Sequence, residues 1–512
     1  MTEPEGPGGL LRRIYEEEFG FLPTNSSMKP VHVANGLYRR LSGVSSDHRP
    51  LAGVLRQYVK NQRGGFVEER QSNGAVLDSY GDRFSDTHGN RPSDEAMTRF
   101  RSLANEILGA DDAVYQAQAS FTLSHREMVS GDLSDNGAGD FLAAFLRAGE
   151  PKAEALAAGL MQRLLDDDTD PWTTIAWPLL GLGAERESSL EGASALRAQR
   201  AAPLLTTDGA GLLISPVLRR LRARFEQLAA YEELHGAKLA TLRRLIMFGV
   251  FTLHVHMIRR CGDSLGDGPR PPILLDLFDG RRRSLREASA ATLQAGLRAV
   301  EQVVIHRIHG ELQPLCADGG ADAYLAELPN DDFAKVRSEY TAHLHGDNSL
   351  DALTEAYWIA GYSGVASKGV GSKEAKGLPW NALLSLGRRA GYLLPHSNQG
   401  RGGREHKRYG ANAEFAEIIV AATVAPGDPV EFDEFLDRLR ESFGIVVGRR
   451  ADFDVIRRND LQPKGALQKS VSVNENDLRA NLIAFRDLII DIGFAKSYAD
   501  GRTIVTTDEG RR

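Results

Sequence analysis

Glycines, serines and lysines with near-motif spacing lie between residues 361 and 370, but they complete no catalytic motif. A phosphate-binding loop needs two glycines separated by four residues and followed by lysine, because backbone amides and the lysine hold the phosphates together. Gly364 and Gly369 have this spacing, but Val370 stands where the lysine is required. The run from Gly361 to Gly364 is one residue too short for the nucleophile elbow of a hydrolase. We therefore predict neither an NTPase site nor a serine nucleophile here.

Histidines and carboxylates that could bind a metal ion form two candidate sets. His306 and His309 are three residues apart on a predicted helix, which puts them on one face, but histidines are also common at helix ends. An acidic set in a turn-rich loop could bind a divalent ion for phosphodiester cleavage, although aspartates in such loops commonly form turns. That set is Asp78, Asp82, Asp86 and Asp94. We predict no metal site and no cofactor, and a metal-dependent nuclease with unplaced ligands remains an alternative.

A concentration of basic residues between residues 361 and 411 is the clearest functional signal in the sequence. Nine lysines and arginines face two glutamates there, a local charge of +7 in a chain whose net charge is −7. Cations neutralise phosphates without reading bases, and glycines allow the backbone to approach a phosphate closely. The alternative is a basic loop that binds an acidic protein surface. The candidate residues for binding duplex DNA are Arg388, Arg389, Arg401, Arg404, Lys407 and Arg408.

The elements that would position these cations are a helix and a hairpin. Residues 380–390 have helical apolar spacing and end at a glycine. Residues 392–394 and 406–409 are short strand candidates, and a glycine-rich loop at 395–405 joins them. This order is typical of a winged helix with a basic tip, and we expect the unit to cover residues 361–411.

A second winged-helix-like unit is predicted over residues 412–512. Helices are expected at 412–423, 430–443 and 474–492, and an Asp-Gly pair between β-prone runs near the C-terminus predicts a hairpin. Carboxylates cover one of these helices, which favours packing or protein binding over DNA binding. They are Glu431, Asp433, Glu434 and Asp437.

The rest of the chain is predicted to be mainly α-helical and multidomain. Its 512 residues exceed one ordinary core, while 42% apolar and 26% charged residues are typical of globular proteins. We expect a mixed entry region at 1–94 and one or more helical domains at 95–360, with a small strand element at 273–278. A glycine, serine and lysine stretch at 361–377 predicts a linker.

Membrane and secretory roles are not expected. The sequence has no apolar run of about eighteen residues, and its N-terminus lacks the basic and then apolar pattern of an export signal. Only Cys261 and Cys316 are present, too few for a disulfide framework or a cysteine-based zinc site. We therefore expect a cytoplasmic protein with no membrane contact.

Three segments resemble accessory proteins of bacterial phage-defence systems that are linked to DNA modification. The segments are 271–289, 393–409 and 432–448. Such proteins lack an enzyme signature of their own and work beside a large motor or nuclease subunit. The resemblance implies a non-catalytic DNA-binding or scaffolding component of a multiprotein complex that restricts foreign DNA, and it assigns no catalytic residues. A pure protein-interaction module, with apolar patches in place of the exposed cations, remains a further alternative.

Overall fold

The structure, a computed structural model, is mainly α-helical, as the sequence predicts. Three small sheets of two or three strands accompany the helices in the described part of the chain. Within that part, no helix is both long and apolar enough to cross a membrane. The residues that the structure describes are 5–43, 58, 72–108, 123–129, 133–149, 156–180, 190–265, 270–317, 319–365, 377–395, 407–458 and 473–508.

Eight α-helices of the described part lie before residue 202. Helices α1 and α2 both begin at a proline, which suits the first helical position because an N–H group there would have no partner within the helix. The bounds are α1 Pro7–Phe19, α2 Pro30–Ser42, α3 Asn73–Phe84, α4 Asp94–Leu108, α5 Ala138–Arg147, α6 Leu156–Leu165, α7 Pro171–Ala176 and α8 Leu190–Ala201.

The longest helices form the centre of the molecule. The helices of this region are α9 Pro216–His235, α10 Lys238–Ser264, α11 Arg283–Leu312, α12 Gly320–Glu327, α13 Asn330–His343 and α14 Ser349–Val365. Every residue of α10 from Leu245 to Ile258 is buried, which is the pattern of a helix enclosed on all sides. Its neighbours include α1, α2, α5, α6, α9 and α11. Helix α10 is therefore the element on which both halves of the chain pack.

The C-terminal region contains the remaining helices and all but one of the strands in the described part. The helices are α15 Asn381–Arg389, α16 Ala413–Ala421, α17 Phe432–Phe443, α18 Arg450–Arg458 and α19 Glu475–Asp491. The strands of the described part, of which only β1 precedes this region, are β1 Ile273–Leu274, β2 Leu393–Leu394, β3 Arg408–Tyr409, β4 Val430–Glu431, β5 Ile445–Val446, β6 Ala495–Ser497 and β7 Thr503–Val505. Both predicted hairpins form: β2 pairs antiparallel with β3, and β6 with β7. Strand β4 adds to β7 as a third strand, at a position where the sequence predicts helix.

Strand β1 connects the central helices to the C-terminal region. It pairs in parallel with β5, so that Ile273 lies opposite Ile445. Beyond the two regular strand residues, the Leu275 amide donates to the Val446 carbonyl at 3.2 Å and the Asp276 amide donates to the Tyr409 carbonyl at 3.0 Å. The predicted strand element at 273–278 thus reaches two other strands, and neither pairing is local in sequence.

One hydrophobic cluster extends through all the regions that the sequence pattern separates. It runs from Leu10 in α1 to Val505 in β7 and includes the central part of α10. The Tyr15 hydroxyl donates to the Gly377 carbonyl at 3.1 Å, which ties the end of the predicted linker to α1. Residues 366–376 of that linker lie outside the described residues. The described segments on either side of it share a core.

A buried amide joins three backbone segments in the C-terminal region. Asn481 of α19 is fully buried, its Oδ1 accepts from the Leu277 amide, and its Nδ2 donates to the carbonyls of Leu275 and Val447. The three distances are 2.8 or 2.9 Å. A single side chain therefore satisfies polar groups that follow β1 and β5, and it holds both against α19.

Replacing this amide should destabilise the C-terminal region. We expect Asn481→Leu to lower the free energy of unfolding by about 2–4 kcal/mol, because a buried N–H group and two carbonyls lose their partner. Urea denaturation followed by far-UV circular dichroism measures the change. The control is Arg479→Ala, an exposed position of the same helix, where we expect a change within about 0.5 kcal/mol. Equal effects of both substitutions would contradict the bridging role of Asn481.

Candidate nucleic-acid interface

The predicted basic hairpin has a well-defined base. Helix α15 is followed by a tight turn at Gly391, after which β2 begins. The Gly410 amide donates to the Tyr392 carbonyl at 3.0 Å, which extends the pairing of β2 with β3. Residues 396–406, and with them Arg401 and Arg404, lie outside the described residues.

The turn between α15 and β2 requires glycine. Gly391 has a φ of 84°, a left-handed backbone conformation that residues with a side chain rarely adopt. A Cβ atom at this position would also lie 2.4 Å from the Asn412 side-chain amide nitrogen. Gly391 therefore sets the direction in which the hairpin leaves the helix.

Two tyrosines fix the base of the hairpin to α10. Tyr392 and Tyr409 are fully buried, and the Tyr409 hydroxyl lies 2.8 Å from Nε2 of His254 in a hydrogen bond. The rings of Tyr392 and Phe251 meet edge to face with their centroids 5.1 Å apart. The Ser289 hydroxyl of α11 donates to the Tyr409 carbonyl at 2.9 Å. The position of the hairpin is thus determined by the centre of the molecule.

Arg408 is committed to a buried ion pair. Its Nε donates to Oδ2 of Asp276 at 2.8 Å, and a terminal nitrogen donates to Oδ1 of Asp279 at 2.8 Å. Asp276 is buried and also accepts from the amides of Phe278 and Gly280. The sequence predicts Arg408 on an open positive face, whereas the turn after β1 brings two carboxylates against its guanidinium. Arg408 therefore has a structural role at this position.

Three other predicted cations lie together without a carboxylate. Arg388 and Arg389 are half-buried and Lys407 is buried, and none of them forms an ion pair with a described residue. Arg389 donates instead to the Ser385 hydroxyl at 2.6 Å and to the Met28 carbonyl at 3.4 Å. We call Arg388, Arg389 and Lys407 the cationic cluster.

The electrostatics of the cationic cluster are unfavourable in the isolated protein. Burial lowers the pKa of Lys407, and the positive charge of Arg388 lowers it further. The same two causes, in the same order, lower the pKa of Arg389. Since each shift disfavours the charged form, the fold holds these cations close at a cost. A bound anion would offset both the mutual repulsion and the missing hydration.

The candidate acidic set, for which the sequence favours a turn-forming role, does not come together as a metal site among the described residues. Asp86 accepts from the amides of His88 and Asn90, which is the turn-forming role that the sequence also allows. Asp82 is exposed, and Asp94 accepts from the Asn73 side-chain amide at 2.7 Å. Asp78 is exposed beside Arg91. Among the described residues, no group of three histidine, cysteine or acidic side chains is arranged to hold a metal ion.

The candidate histidine pair and the near-motif residues form no catalytic arrangement in the described part of the chain. His306 is exposed, whereas His309 lies 3.8 Å from Asp351. The segment from Gly361 to Gly364 belongs to α14, and residues 366–376 lie outside the described residues. Burial raises the pKa of the Cys261 thiol to about 11, which keeps it protonated.

Sequence reasoning missed the residues that hold the hairpin. Asp276 and Asp279 belong to a segment that indicates only a strand and a turn, and the spacing of His254 from His256 does not suit a shared metal ion. The one available signal is the Asp-Gly pair at 279–280, which marks a tight turn. The roles of Asp276 and His254 in holding the hairpin depend on partners that are more than a hundred residues away along the chain.

Removing Arg408 should lower the stability of the protein because it leaves the buried charge of Asp276 without a cation. We expect Arg408→Met to lower the free energy of unfolding by about 3–5 kcal/mol, since Asp276 then has no cation. The double variant D276N/R408M should recover part of this loss because neither remaining side chain is charged. Urea denaturation of both variants tests this, with Arg283→Ala at an exposed ion pair as the control. A single variant as stable as the wild type would contradict the structural role of Arg408.

The buried His254 should make stability depend on pH. Burial lowers its pKa in the fold from 6.5 to about 3, so the unfolded chain binds more protons between these values. The contribution of neutral His254 to the free energy of unfolding is therefore fully present above about pH 6.5 and is lost as the pH falls toward about 3. We expect His254→Gln to reduce the loss between about pH 7 and about pH 5 by about 2 kcal/mol. Urea unfolding midpoints at both pH values measure this.

The control for the pH experiment is His306→Gln, because this histidine is exposed. Its unfolding should keep the pH dependence of the wild type. Parallel pH profiles for the His254 variant and the wild type would show that His254 does not stay neutral in the fold.

Comparison with known proteins gives the site no counterpart. No family model, no curated protein and no solved structure matches the chain. Its function must therefore be inferred from the contacts and charges of the site.

Proposed function

We propose that this chain is a non-catalytic DNA-binding component of a multiprotein complex, and that its cationic cluster contacts the phosphate backbone of duplex DNA. The observation that carries the proposal is the close grouping of Arg388, Arg389 and Lys407 without a carboxylate partner in the described part of the chain. Many other arginines near the core are paired with acids, as in Arg260 with Glu18. These cations carry positive charge that no described carboxylate offsets, although Lys407 is buried and Arg389 also donates to Ser385 and Met28.

Phosphate is the anion that best fits the cluster. Arginine and lysine bind phosphate oxygens with charge-assisted hydrogen bonds, and such contacts position a protein on DNA without reading its sequence. Arg404 and Arg401 stand three and six residues before Lys407 in the chain, so two further cations adjoin the cluster in the sequence. The proposed interface therefore consists of the cationic cluster together with Arg401 and Arg404, and it excludes Arg408.

The layout of the C-terminal region supports a winged-helix-like role for both units. In the first, α15 is followed directly by the β2 and β3 hairpin. In the second, α17 and α19 accompany the sheet of β4, β7 and β6. The acidic face of α17 is largely neutralised within the chain, because Glu434 pairs with Arg438 and Asp437 with Arg449. We propose that the second unit contacts other protein subunits.

A place in a bacterial complex that restricts foreign DNA is proposed on the sequence resemblance. The basic hairpin at 393–409 belongs to the segments that carry the resemblance, and it is also the segment that bears Lys407. A DNA-contacting subunit without catalytic residues would deliver DNA to a motor or nuclease subunit of the same complex. This role requires that the protein bind DNA through the negative charge of the DNA phosphate backbone.

DNA binding should depend on salt through the cationic cluster. We expect the purified protein to bind fluorescent duplex DNA with a steep log-log salt dependence. The R388A/K407A variant should flatten the slope by about 0.9 for each phosphate that the protein no longer neutralises. A second variant, R401A/R404A, tests the loop in the same way. Fluorescence anisotropy over a salt series gives the slopes.

The matched control is Arg479→Ala, which removes an exposed arginine of α19 and should leave the slope unchanged. Thermal unfolding of R388A/K407A provides a second measurement. Because the substitutions remove like charges that repel each other, we expect this variant to lose DNA affinity without losing thermal stability. Wild-type protein that fails to bind duplex DNA, or a double variant with the wild-type slope, would overturn the proposal.

A further inference from the structure

Three arginines from three different elements converge beside Gly444, at the C-terminal end of α17. They are Arg220 of α9, Arg259 of α10 and Arg270, which precedes β1. None of them forms an ion pair with a described residue. We call these three residues the arginine site, and it shares no residue with the cationic cluster.

Arg259 lies directly against the backbone of Gly444. The side chain is half-buried, and its Nη2 donates to the Phe443 carbonyl at 3.5 Å. The same nitrogen occupies the space that a Cβ atom of residue 444 would need. The guanidinium of Arg259 is therefore held at the end of α17.

Arg270 reaches the same place from the segment before β1. The Ile273 amide donates to the Gly444 carbonyl at 2.9 Å, which fixes this segment beside the end of α17. A Cβ atom at Gly262 would lie 2.6 Å from Nε of Arg270. Gly262 follows Arg259 by three residues and so lies on the same face of α10. The Arg270 side chain thus lies across α10 one turn from Arg259.

Arg220 approaches from α9. Arg224 of this helix donates to the Ser442 hydroxyl at 2.8 Å, two residues before Gly444. Arg220 lies one helical turn earlier on the same face of α9, and it is exposed. Glu441 offsets part of the charge of Arg224, whereas Arg220 has no hydrogen bond to a carboxylate in the described part of the chain.

The charges of the arginine site are only partly compensated. Burial lowers the pKa of Arg259 to about 10, and the charges of Arg270 and Arg220 also lower it. Asp263 acts in the opposite direction, but its carboxylate also accepts from the Ser215 hydroxyl at 3.0 Å. Three cations near one carboxylate leave a net positive charge that a bound anion would offset.

Most N–H groups of the arginine site have no acceptor in the described part of the chain. Each guanidinium has five N–H groups, yet Arg259 donates only to the Phe443 carbonyl, and Arg220 and Arg270 are exposed. A carboxylate presents two oxygens in one plane, which one guanidinium can bind. A phosphate presents oxygens in several directions, so it can accept from guanidinium groups that approach from different elements. Phosphate is therefore the anion that fits the arrangement.

We propose that Arg220, Arg259 and Arg270 together bind one phosphate group beside Gly444. The phosphate belongs either to the backbone of duplex DNA, for which this would be a second contact, or to a free phosphate ion. The chemistry of recognition is the same in both cases. Because the site is separate from the cationic cluster, the proposal does not depend on the DNA-binding role of that cluster.

A double variant at the two exposed arginines tests both sources of phosphate. Calorimetric titration of the full chain with inorganic phosphate at low ionic strength is the first arm. If the ligand is a free phosphate ion, we expect R220A/R270A to bind it at least about tenfold more weakly, because charge-assisted hydrogen bonds are lost. The salt dependence of binding to fluorescent duplex DNA is the second arm. If the ligand is DNA, the log-log slope should flatten by about 0.9 for the lost phosphate contact.

The matched control is Arg219→Ala, which removes an exposed arginine next to Arg220. Nε of Arg219 donates to the Leu213 carbonyl at 2.9 Å instead of pointing to the end of α17. We expect this variant to keep the wild-type salt slope and an affinity for phosphate within about threefold of the wild type. Urea unfolding midpoints equal to the wild type would show that both variants fold normally.

An effect of R220A/R270A in one arm supports the proposal, and the arm that shows it identifies the source of the phosphate. If the wild type does not bind DNA, the proposed function fails and the phosphate titration alone decides the role of the arginine site. Wild-type behaviour of R220A/R270A in both arms, or an equal loss in Arg219→Ala, would overturn the proposal.

Discussion

The ion pair between Arg408 and Asp276 is the interaction on which the C-terminal half of the structure depends. It joins residues 132 positions apart in the chain, and both charges are removed from water. A buried carboxylate is tolerated only when cations and hydrogen-bond donors surround it, so the turn after β1 and the strand β3 must meet in one arrangement. The backbone amides of Leu275 and Leu277, beside that turn, donate to the Val446 carbonyl of β5 and to the side chain of Asn481. The hairpin, the parallel strand pair and α19 are thus positioned together.

This pairing also explains why positive charge remains at the base of the hairpin. Asp276 and Asp279 both bond Arg408, and Arg408 alone among the predicted hairpin cations in the described part has such partners. The same selective compensation occurs beside α1, whose glutamates neutralise Arg260 and Arg307. Net charge, which is −7 for the whole chain, therefore says little about the charge at a particular position in the fold. The local pairing of each cation decides what is left to bind an anion.

The sequence predicts well what depends on neighbouring residues. Apolar spacing indicates the helices near 381–389 and 475–491, and turn residues indicate both hairpins. Pairing between distant segments leaves no local signal: β1 and β5 contribute only two residues each, and nothing near Arg408 identifies Asp276 as its partner. A glycine-rich stretch likewise suggests a domain boundary, yet Tyr15 and Gly377 meet across it. Basic composition finds the hairpin but cannot separate a structural arginine from a binding one.

Helix α10 presents one buried histidine to each of two opposite sides. His254 bonds the hairpin tyrosine, and His256 stacks on Phe141 of α5. Residues two apart on an α-helix point about 200° apart around its axis, so one buried helix contacts the hairpin on one face and α5 on the other. Because this part of α10 is enclosed on all sides, its physical role is that of a rigid support that fixes the base of the hairpin against the N-terminal helices.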